Sequence, residues 1–180
     1  VLATSNGDDT KGWIVKVKVS GNEIGPLERF IATKEATNVD APVGIAVSPK
    51  GELAVGQMGE ITVPNDGLLT FYNPKDGKML LNLETGLYDI TALAYGKKEP
   101  QQLYALDFAW MKTSEGGLFQ LVAKEENGKQ SVAAKKLASL DKPTAMAFGN
   151  DGSLYVTVIG TAKEGDAKKP GKLLKAAPGL

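Results

Sequence analysis

Residues 143–156 read PTAMAFGNDGSLYV, and residues 42–55 read PVGIAVSPKGELAV. The two stretches match in pattern without a gap, 101 positions apart. Each is an apolar run, a turn that contains glycine and a second apolar run, which predicts two short strands joined by a hairpin. A third copy, ITALAY at 90–95 followed by QLYAL at 102–106, lies between them. Alanines 46, 94 and 147 recur after 48 and 53 residues, so the repeat is about 50 residues long.

The rest of each unit predicts two further strands. A polar loop leads to a third strand that opens with glycine, at positions 12, 67, 117 and 171. A more polar fourth strand follows at Arg29–Thr33, Lys78–Leu83 and Gln130–Leu137. The alanines of Ser131–Leu140 also fit a helix, but that position in the repeat predicts an outer strand. Antiparallel units of four strands at a fixed period of this length are typical of β-propeller blades.

We therefore predict an all-β fold in which residues 1–180 form a single propeller segment. Its blades cover approximately 1–37 (partial), 38–87, 88–140 and 141–180 (partial), about three and a half blades of a predicted six-bladed ring. The inner-strand residues are expected to be buried. They are Ile45, Val47, Leu53, Val55, Leu93, Leu103, Met146, Phe148, Leu154 and Val156. Since an open ring exposes apolar sheet faces, we expect the missing half to come from the same longer chain or from a second copy.

Composition excludes several function classes for this chain. Lys plus Arg equals Asp plus Glu at 21 each, so no net charge favours nucleic acid or an anionic membrane. No stretch approaches the ~18 apolar residues of a membrane span. Histidine and cysteine are both absent, which excludes Ser-His-Asp and Cys-His catalysis and metal sites built on either residue. Carboxylates, lysines, amides or a cation held by oxygen ligands remain.

Several motifs resemble a known family. Residues 140–156, LDKPTAMAFGNDGSLYV, resemble the blade motif of six-bladed, NHL-like propellers. In chain order, AVGQM at 54–58, ITALAY at 90–95 and LYALDFA at 103–109 resemble the C-terminal half of the ScyD/ScyE-type family of secreted propellers. That resemblance covers most of the chain from about Asn38 and implies a bacterial protein of roughly twice this length, located in the periplasm or outside the cell.

The same resemblance supplies no catalytic residues, because the family has none established. One departure from its pattern concerns Asp89, which precedes Ile90, whereas the family tends to place its acid where Ala92 stands here. The related gluconolactonase propellers hold a divalent cation with one Glu, two Asn and one Asp. This chain does not reproduce that set.

Polar residues before the first strands of successive blades are candidate site residues, because these positions approach one another in a ring. They are Asn38, Asp40, Asp89 and Asp141, joined by Asp107 at the end of a second strand. Oxygen ligands of this kind suit a ligand pocket or a cation such as Ca²⁺. The simpler interpretation, which the residue types favour, is that these side chains cap turns.

Two loops offer a further candidate and a further basic segment. Trp110 with Met111 forms an apolar tip that could anchor a protein partner or pack on the next blade. The basic segment contains Lys163, Lys168 and Lys169, but nearby acids cancel much of its charge, which predicts a solvated loop.

Three functions fit the sequence. The first is a non-catalytic periplasmic or extracellular propeller that binds a ligand or a protein partner. The second is a divalent-cation-dependent hydrolase or lactonase of the gluconolactonase type, in which a channel cation activates water. The third is a structural subunit docked on another chain. Because fold does not determine function, the choice depends on the site.

Overall fold

The computed structural model describes residues 1–5, 11–162, 165 and 170–180. Within these residues the chain forms fourteen strands and one short helix. The elements are β1 Leu2–Ser5, β2 Trp13–Ser20, β3 Glu23–Ala32, α1 Thr33–Thr37, β4 Pro42–Val47, β5 Leu53–Gln57, β6 Leu68–Tyr72, β7 Met79–Glu84, β8 Ile90–Tyr95, β9 Leu103–Asp107, β10 Gly117–Glu126, β11 Lys129–Ser139, β12 Pro143–Phe148, β13 Leu154–Val158 and β14 Lys172–Ala176.

The strands form four antiparallel sheets, each a meander of consecutive strands. The sheets contain β1–β3, β4–β7, β8–β11 and β12–β14 in chain order, which we call the first to fourth sheets. The all-β class is confirmed, and sheets of three or four antiparallel strands are consistent with propeller blades. The number of blades in a closed ring stays a prediction.

The apolar core lies in three layers, one between each pair of successive sheets. Ile14 of the first sheet packs with Leu53 and Val55 of the second. Leu69 and Leu83 of the second sheet belong to a cluster that continues into β8–β11. A last layer joins the third and fourth sheets and includes Ala92, Leu106, Leu118, Leu154, Val156 and Val158. Each inner sheet therefore buries both faces, which explains why its inner strands are almost wholly apolar.

Six of the ten residues predicted for the core are buried: Leu53, Val55, Leu93, Leu103, Leu154 and Val156. Ile45, Met146 and Phe148 are half-buried members of the same layers. The prediction for Val47 is wrong, because its side chain is 66% exposed. Val47 ends β4 at the hairpin, and the first sheet packs along β4 only as far as Ile45.

The outer strand predicted at Gln130–Leu137, where the alanines of Ser131–Leu140 also fit a helix, is confirmed as part of β11, which pairs with β10 along its length. Pairing with a neighbouring strand outweighs the helix propensity of its alanines. The only helix in the described part of the chain, α1, has five residues and no side-chain cap. The repeat pattern of the sequence did not predict this helix.

Close contact between β5 and β8 brings the polar ends of the second and third sheets together. A Cβ atom on Gly56 would lie 2.4 Å from Cγ2 of Ile90, so only glycine permits this approach. The following residue, Gln57, ends β5, and Asp89 immediately precedes β8. The loops that carry the candidate site residues are therefore neighbours.

No helix in the described ranges is long and apolar enough to cross a membrane. The basic segment with Lys163, Lys168 and Lys169 lies outside the described residues. The predicted partner that would complete the ring stays a prediction.

Candidate functional site

The candidate site lies at the end of the sheets where the second strands stop. Gln57, Asp107 and Val158 are the last residues of β5, β9 and β13, and they occupy equivalent positions in the repeat. Two residues later the backbone turns with a positive φ, of 73° at Gly59, 49° at Ala109 and 72° at Gly160. This left-handed residue redirects each chain out of its sheet and into a long loop.

Asp107 is 1% exposed and caps the loop before β8. Its Oδ1 accepts hydrogen bonds from the backbone N–H groups of Asp89 at 2.8 Å and Ala109 at 3.0 Å, and its Oδ2 accepts one from Tyr88 at 3.1 Å. Burial raises the pKa of the Asp107 carboxyl, an effect opposed by these three hydrogen bonds and by the charge of Lys136. Both carboxylate oxygens of Asp107 are therefore engaged by the backbone.

Asp89 is 2% exposed, and its carboxylate likewise accepts a backbone hydrogen bond, from the loop after β9. Its Oδ2 accepts a hydrogen bond from the Trp110 backbone N–H, and its backbone oxygen accepts one from Phe108 N–H at 2.9 Å. Burial raises the pKa of Asp89 to about 6. The hydrogen bond from Trp110 lowers the pKa, whereas the negative charges of Asp107 and Asp66 raise it further. The two acids tie their loops together by exchanging carboxylate–amide bonds.

The raised pKa of Asp89 makes stability depend on pH. In the unfolded chain an Asp titrates near 3.9, so between about pH 4 and pH 6 the folded state holds the proton more tightly. The contribution of Asp89 is therefore largest at low pH and is lost as the pH rises to about 6. We expect Asp89→Asn to be more stable than the parent at pH 8, by on the order of 2 kcal/mol, and nearly equal to it at pH 4.

Urea titrations at pH 4, 6 and 8 measure this difference. Asp141→Asn is the matched control, because its carboxylate is exposed and, among the described residues, hydrogen-bonds to one surface hydroxyl. It should leave the free energy of unfolding at pH 8 within ~0.5 kcal/mol of the parent. A difference between Asp89→Asn and the parent that is the same at all three pH values would contradict the assignment.

Gln57 occupies the position of Asp107 in the preceding repeat, and its side-chain amide likewise hydrogen-bonds to the segment before the first strand of its sheet. It is fully buried, and its Nε2 donates hydrogen bonds to the backbone oxygen of Val39 and to Thr37 Oγ1, the latter at 3.1 Å. Sequence reasoning missed Gln57 as a site residue. The signal was present, since Gln57 and Asp107 are one repeat of 50 residues apart.

Asn38 and Asp40 lie beside Gln57 but do not join Asp89 and Asp107. Asn38 is exposed and ends α1 with a φ of 63°, and its backbone N–H donates to the oxygen of Lys34 at 2.8 Å. Asp40 is 6% exposed, and its Oδ2 accepts a hydrogen bond from Lys34 Nζ at 3.2 Å. The hydrogen bonds of these two residues to Lys34 therefore hold the segment between α1 and β4 against the helix.

Asp141 lies just before β12, the first strand of the fourth sheet, and is exposed. Its Oδ1 accepts a hydrogen bond from Thr161 Oγ1 at 3.0 Å, and its backbone oxygen accepts one from Gly160 N–H at 3.1 Å. It ties the loop after β13 to the segment before β12, as Asp107 and Gln57 do in their own sheets.

Asp66 is a second residue that the sequence did not single out, because it stands in a turn-rich loop. Its Oδ2 accepts a hydrogen bond from Glu60 N–H at 2.9 Å, while its Oδ1 is buried and has no hydrogen-bond partner in the described part of the chain. Burial raises the pKa of Asp66, against the Glu60 backbone bond. The charges of Glu60 and Asp40 add to this rise, and the charge of Asp66 in turn raises the pKa of Asp89.

The predicted cation site stays a prediction. Among the described residues, no three acidic side chains come together in a group that could hold a metal ion. The carboxylate oxygens of Asp107 point at backbone amides, which are hydrogen-bond donors and not metal ligands.

Trp110 lies at the same end of the sheets as these polar residues, and its side chain is exposed to solvent. Its side chain is 55% exposed, and its ring stacks on that of the buried Phe108, with centroids 5.0 Å apart and planes inclined by 17°. The next residue, Met111, is 57% exposed. On the equivalent loop of the second sheet, Ile61 and Val63 are each 45% exposed. We call these four side chains the apolar rim.

Together, the fold and this end of the sheets define a chain of blade-like antiparallel meanders whose long loops are fastened by buried polar side chains. No protein-family model and no curated protein matches the chain significantly. The solved structures that are similar in fold include two whose sequences are 23% and 17% identical to this chain. One is described as an oxidoreductase (glucose dehydrogenase) from Thermus thermophilus, at 23% identity and a TM-score of 0.49, with 74% of this chain and 43% of that protein covered.

The other is a luciferin-regenerating enzyme, at 17% identity and a TM-score of 0.47, with 98% of this chain and 76% of that protein covered. The chain thus spans less than half of the length of the first of these relatives. Both similarities are too distant to transfer an activity, and the resemblance to the ScyD/ScyE-type family stays a hypothesis.

Proposed function

We propose that this chain is a non-catalytic β-propeller module that binds a protein partner through the apolar rim, with Trp110 as the anchor. One observation carries the proposal. The Trp110 indole is 55% exposed, although its backbone N–H is bonded to the buried Asp89 and its ring rests on the buried Phe108. An exposed aromatic side chain held in place in this way loses little conformational entropy when a partner covers it.

The surroundings of Trp110 suit a protein surface. Met111 adds an exposed apolar side chain next to it, and the ion pair of Lys112 and Glu115, at 3.1 Å, lies on the same loop. An apolar centre with a charged border is typical of protein interfaces. The loop of Ile61 and Val63 leaves the neighbouring sheet at the same end, so one partner could contact both loops.

The buried acids support a binding function over a catalytic one. Asp107 uses both oxygens to hold backbone amides, and Asp89 uses one to hold Trp110. A general base must reach the proton that it abstracts, whereas these carboxylates are 1% and 2% exposed. We assign them to loop positioning, and no observation favours the lactonase alternative. A periplasmic or extracellular location rests on the family resemblance alone.

The test compares Trp110→Ala with the parent and with Leu173→Ala, a control that removes a side chain exposed by 66% on the fourth sheet. The immobilised proteins are incubated with the periplasmic and secreted fractions of the source organism, and bound proteins are quantified by mass spectrometry. We expect a partner that binds the parent and Leu173→Ala but whose affinity for Trp110→Ala falls by at least about thirtyfold, the size of an anchor contact. Equal binding by both variants would refute the proposal.

A further inference from the structure

A cleft of about 600 Å³ opens between the second and third sheets, at the opposite end from the apolar rim. It begins at the β4–β5 and β8–β9 hairpins, near Glu52 and Gln102, and extends between the outer strands β7 and β11. Its volume is within the range of small-molecule sites in proteins, roughly 300–1,000 Å³. Nothing in the function proposed above uses this cleft.

The cleft exists because the two facing walls differ in side-chain size. The second sheet contributes Phe71 and Leu81, which are packed against the core cluster but remain only half-buried. Opposite them, at the mouth, the third sheet presents the small side chain of Ala123. The floor is made by buried leucines, including Leu103. Apolar walls of this kind favour an apolar ligand, because the transfer of its apolar surface out of water is favourable.

The charges at the mouth of the cleft balance. Lys50 and Lys124 stand there with Glu52 and Glu125. Two cations and two anions give no net attraction for an ion of either sign, so the site suits an uncharged molecule.

Tyr95 supplies a polar group in the wall. Its hydroxyl makes no hydrogen bond to the described part of the chain, and the side chain is half-buried in the cleft. Burial, with the charge of Glu52, raises the pKa of Tyr95 to about 12, which keeps the hydroxyl protonated and able to donate or accept. A single polar group in an apolar wall orients a bound molecule.

We propose that this cleft binds a small, neutral, largely apolar molecule with one hydrogen-bonding group, which pairs with the Tyr95 hydroxyl. The apolar body lies between Phe71 and Leu81 on one side and β10–β11 on the other. The site is independent of the partner surface at Trp110.

The experiment uses N-phenyl-1-naphthylamine, a neutral probe that fluoresces in apolar surroundings and carries one N–H group. We expect saturable binding of one probe per chain to the full protein. Ala123→Trp fills the mouth and should lower the affinity at least tenfold. Ala133→Trp is the matched control, because Ala133 lies between the cleft-side Val132 and Ala134 and therefore points to the other face of β11. It should bind as the parent does.

Tyr95→Phe keeps the shape of the wall and removes the hydroxyl, so it should lower the affinity about threefold to tenfold. Thermal unfolding shows whether each variant is folded. If Ala123→Trp is not, Gln130→Phe replaces it, because Gln130 is an exposed residue of the same mouth on the face of β11 that Val132 and Ala134 share.

Three results would overturn the proposal: no saturable binding to the parent, equal binding by the mouth-filling variant and the parent, or equal losses in the mouth-filling variant and Ala133→Trp. Light scattering adds a fourth outcome. A dimer that the mouth-filling variant makes monomeric, with no probe bound, would show that a second copy of the chain covers the cleft.

Discussion

Asp107→Ala is expected to lower the free energy of unfolding by about 3–5 kcal/mol. The substitution leaves the backbone N–H groups of Tyr88, Asp89 and Ala109 without their acceptor, and Asp107 itself is 1% exposed. Each orphaned buried donor costs roughly 1–3 kcal/mol unless water reaches it. A urea titration monitored by circular dichroism measures the loss.

Two variants identify the cause. Asp107→Asn keeps one oxygen acceptor and presents an N–H₂ group to the remaining amide, so its loss should be intermediate. Asp141→Ala removes an exposed carboxylate whose partner among the described side chains is Thr161, and it should cost less than about 1 kcal/mol. A loss below ~1 kcal/mol for Asp107→Ala would contradict the assignment of Asp107 as the residue that fastens the loops.

Leu154→Ala is expected to cost about 2–5 kcal/mol, as large-to-small changes in a packed core do. Leu154 is 1% exposed in the layer between the third and fourth sheets, where it clusters with Leu106 and Val156. The alanine variant loses these contacts and leaves a cavity that the sheets on either side cannot close fully.

Leu173→Ala is the control for this second prediction. It lies in the same sheet as Leu154 but is 66% exposed, so its effect should be within about 0.5 kcal/mol. A denaturant titration in which Leu154→Ala loses less than ~1 kcal/mol would show that this layer is not a packed core.

The periodicity of the sequence was enough to predict the four sheets. Strands and hairpins are local, so the match between residues 42–55 and 143–156 places β4–β5 and β12–β13 at equivalent positions of two different repeats. The same register predicted a strand over 131–140 where alanine content alone favoured a helix. Binary patterning within a repeat is a property of neighbours along the chain, which is why it can be seen without a structure.

The candidate site was predictable only in part. The interpretation of Asp107 as a turn cap follows from its residue type, but its three amide partners lie up to 19 residues away. The equivalence of Gln57 and Asp107 was visible in the repeat, whereas the unpartnered oxygen of Asp66 was not. The exposure of Trp110, which the sequence left open between an anchor and a packed residue, required the loops to be placed.

The sequence by itself determined most of the strands, their order and most of the predicted buried positions, because these depend on patterns within one repeat. Tertiary structure alone decided that Val47 is exposed, that Asp89 and Asp107 exchange bonds between loops, and that a cleft remains opposite Ala123. Each of these depends on how two successive sheets meet. That geometry is set by contacts between residues tens of positions apart, which no local pattern records.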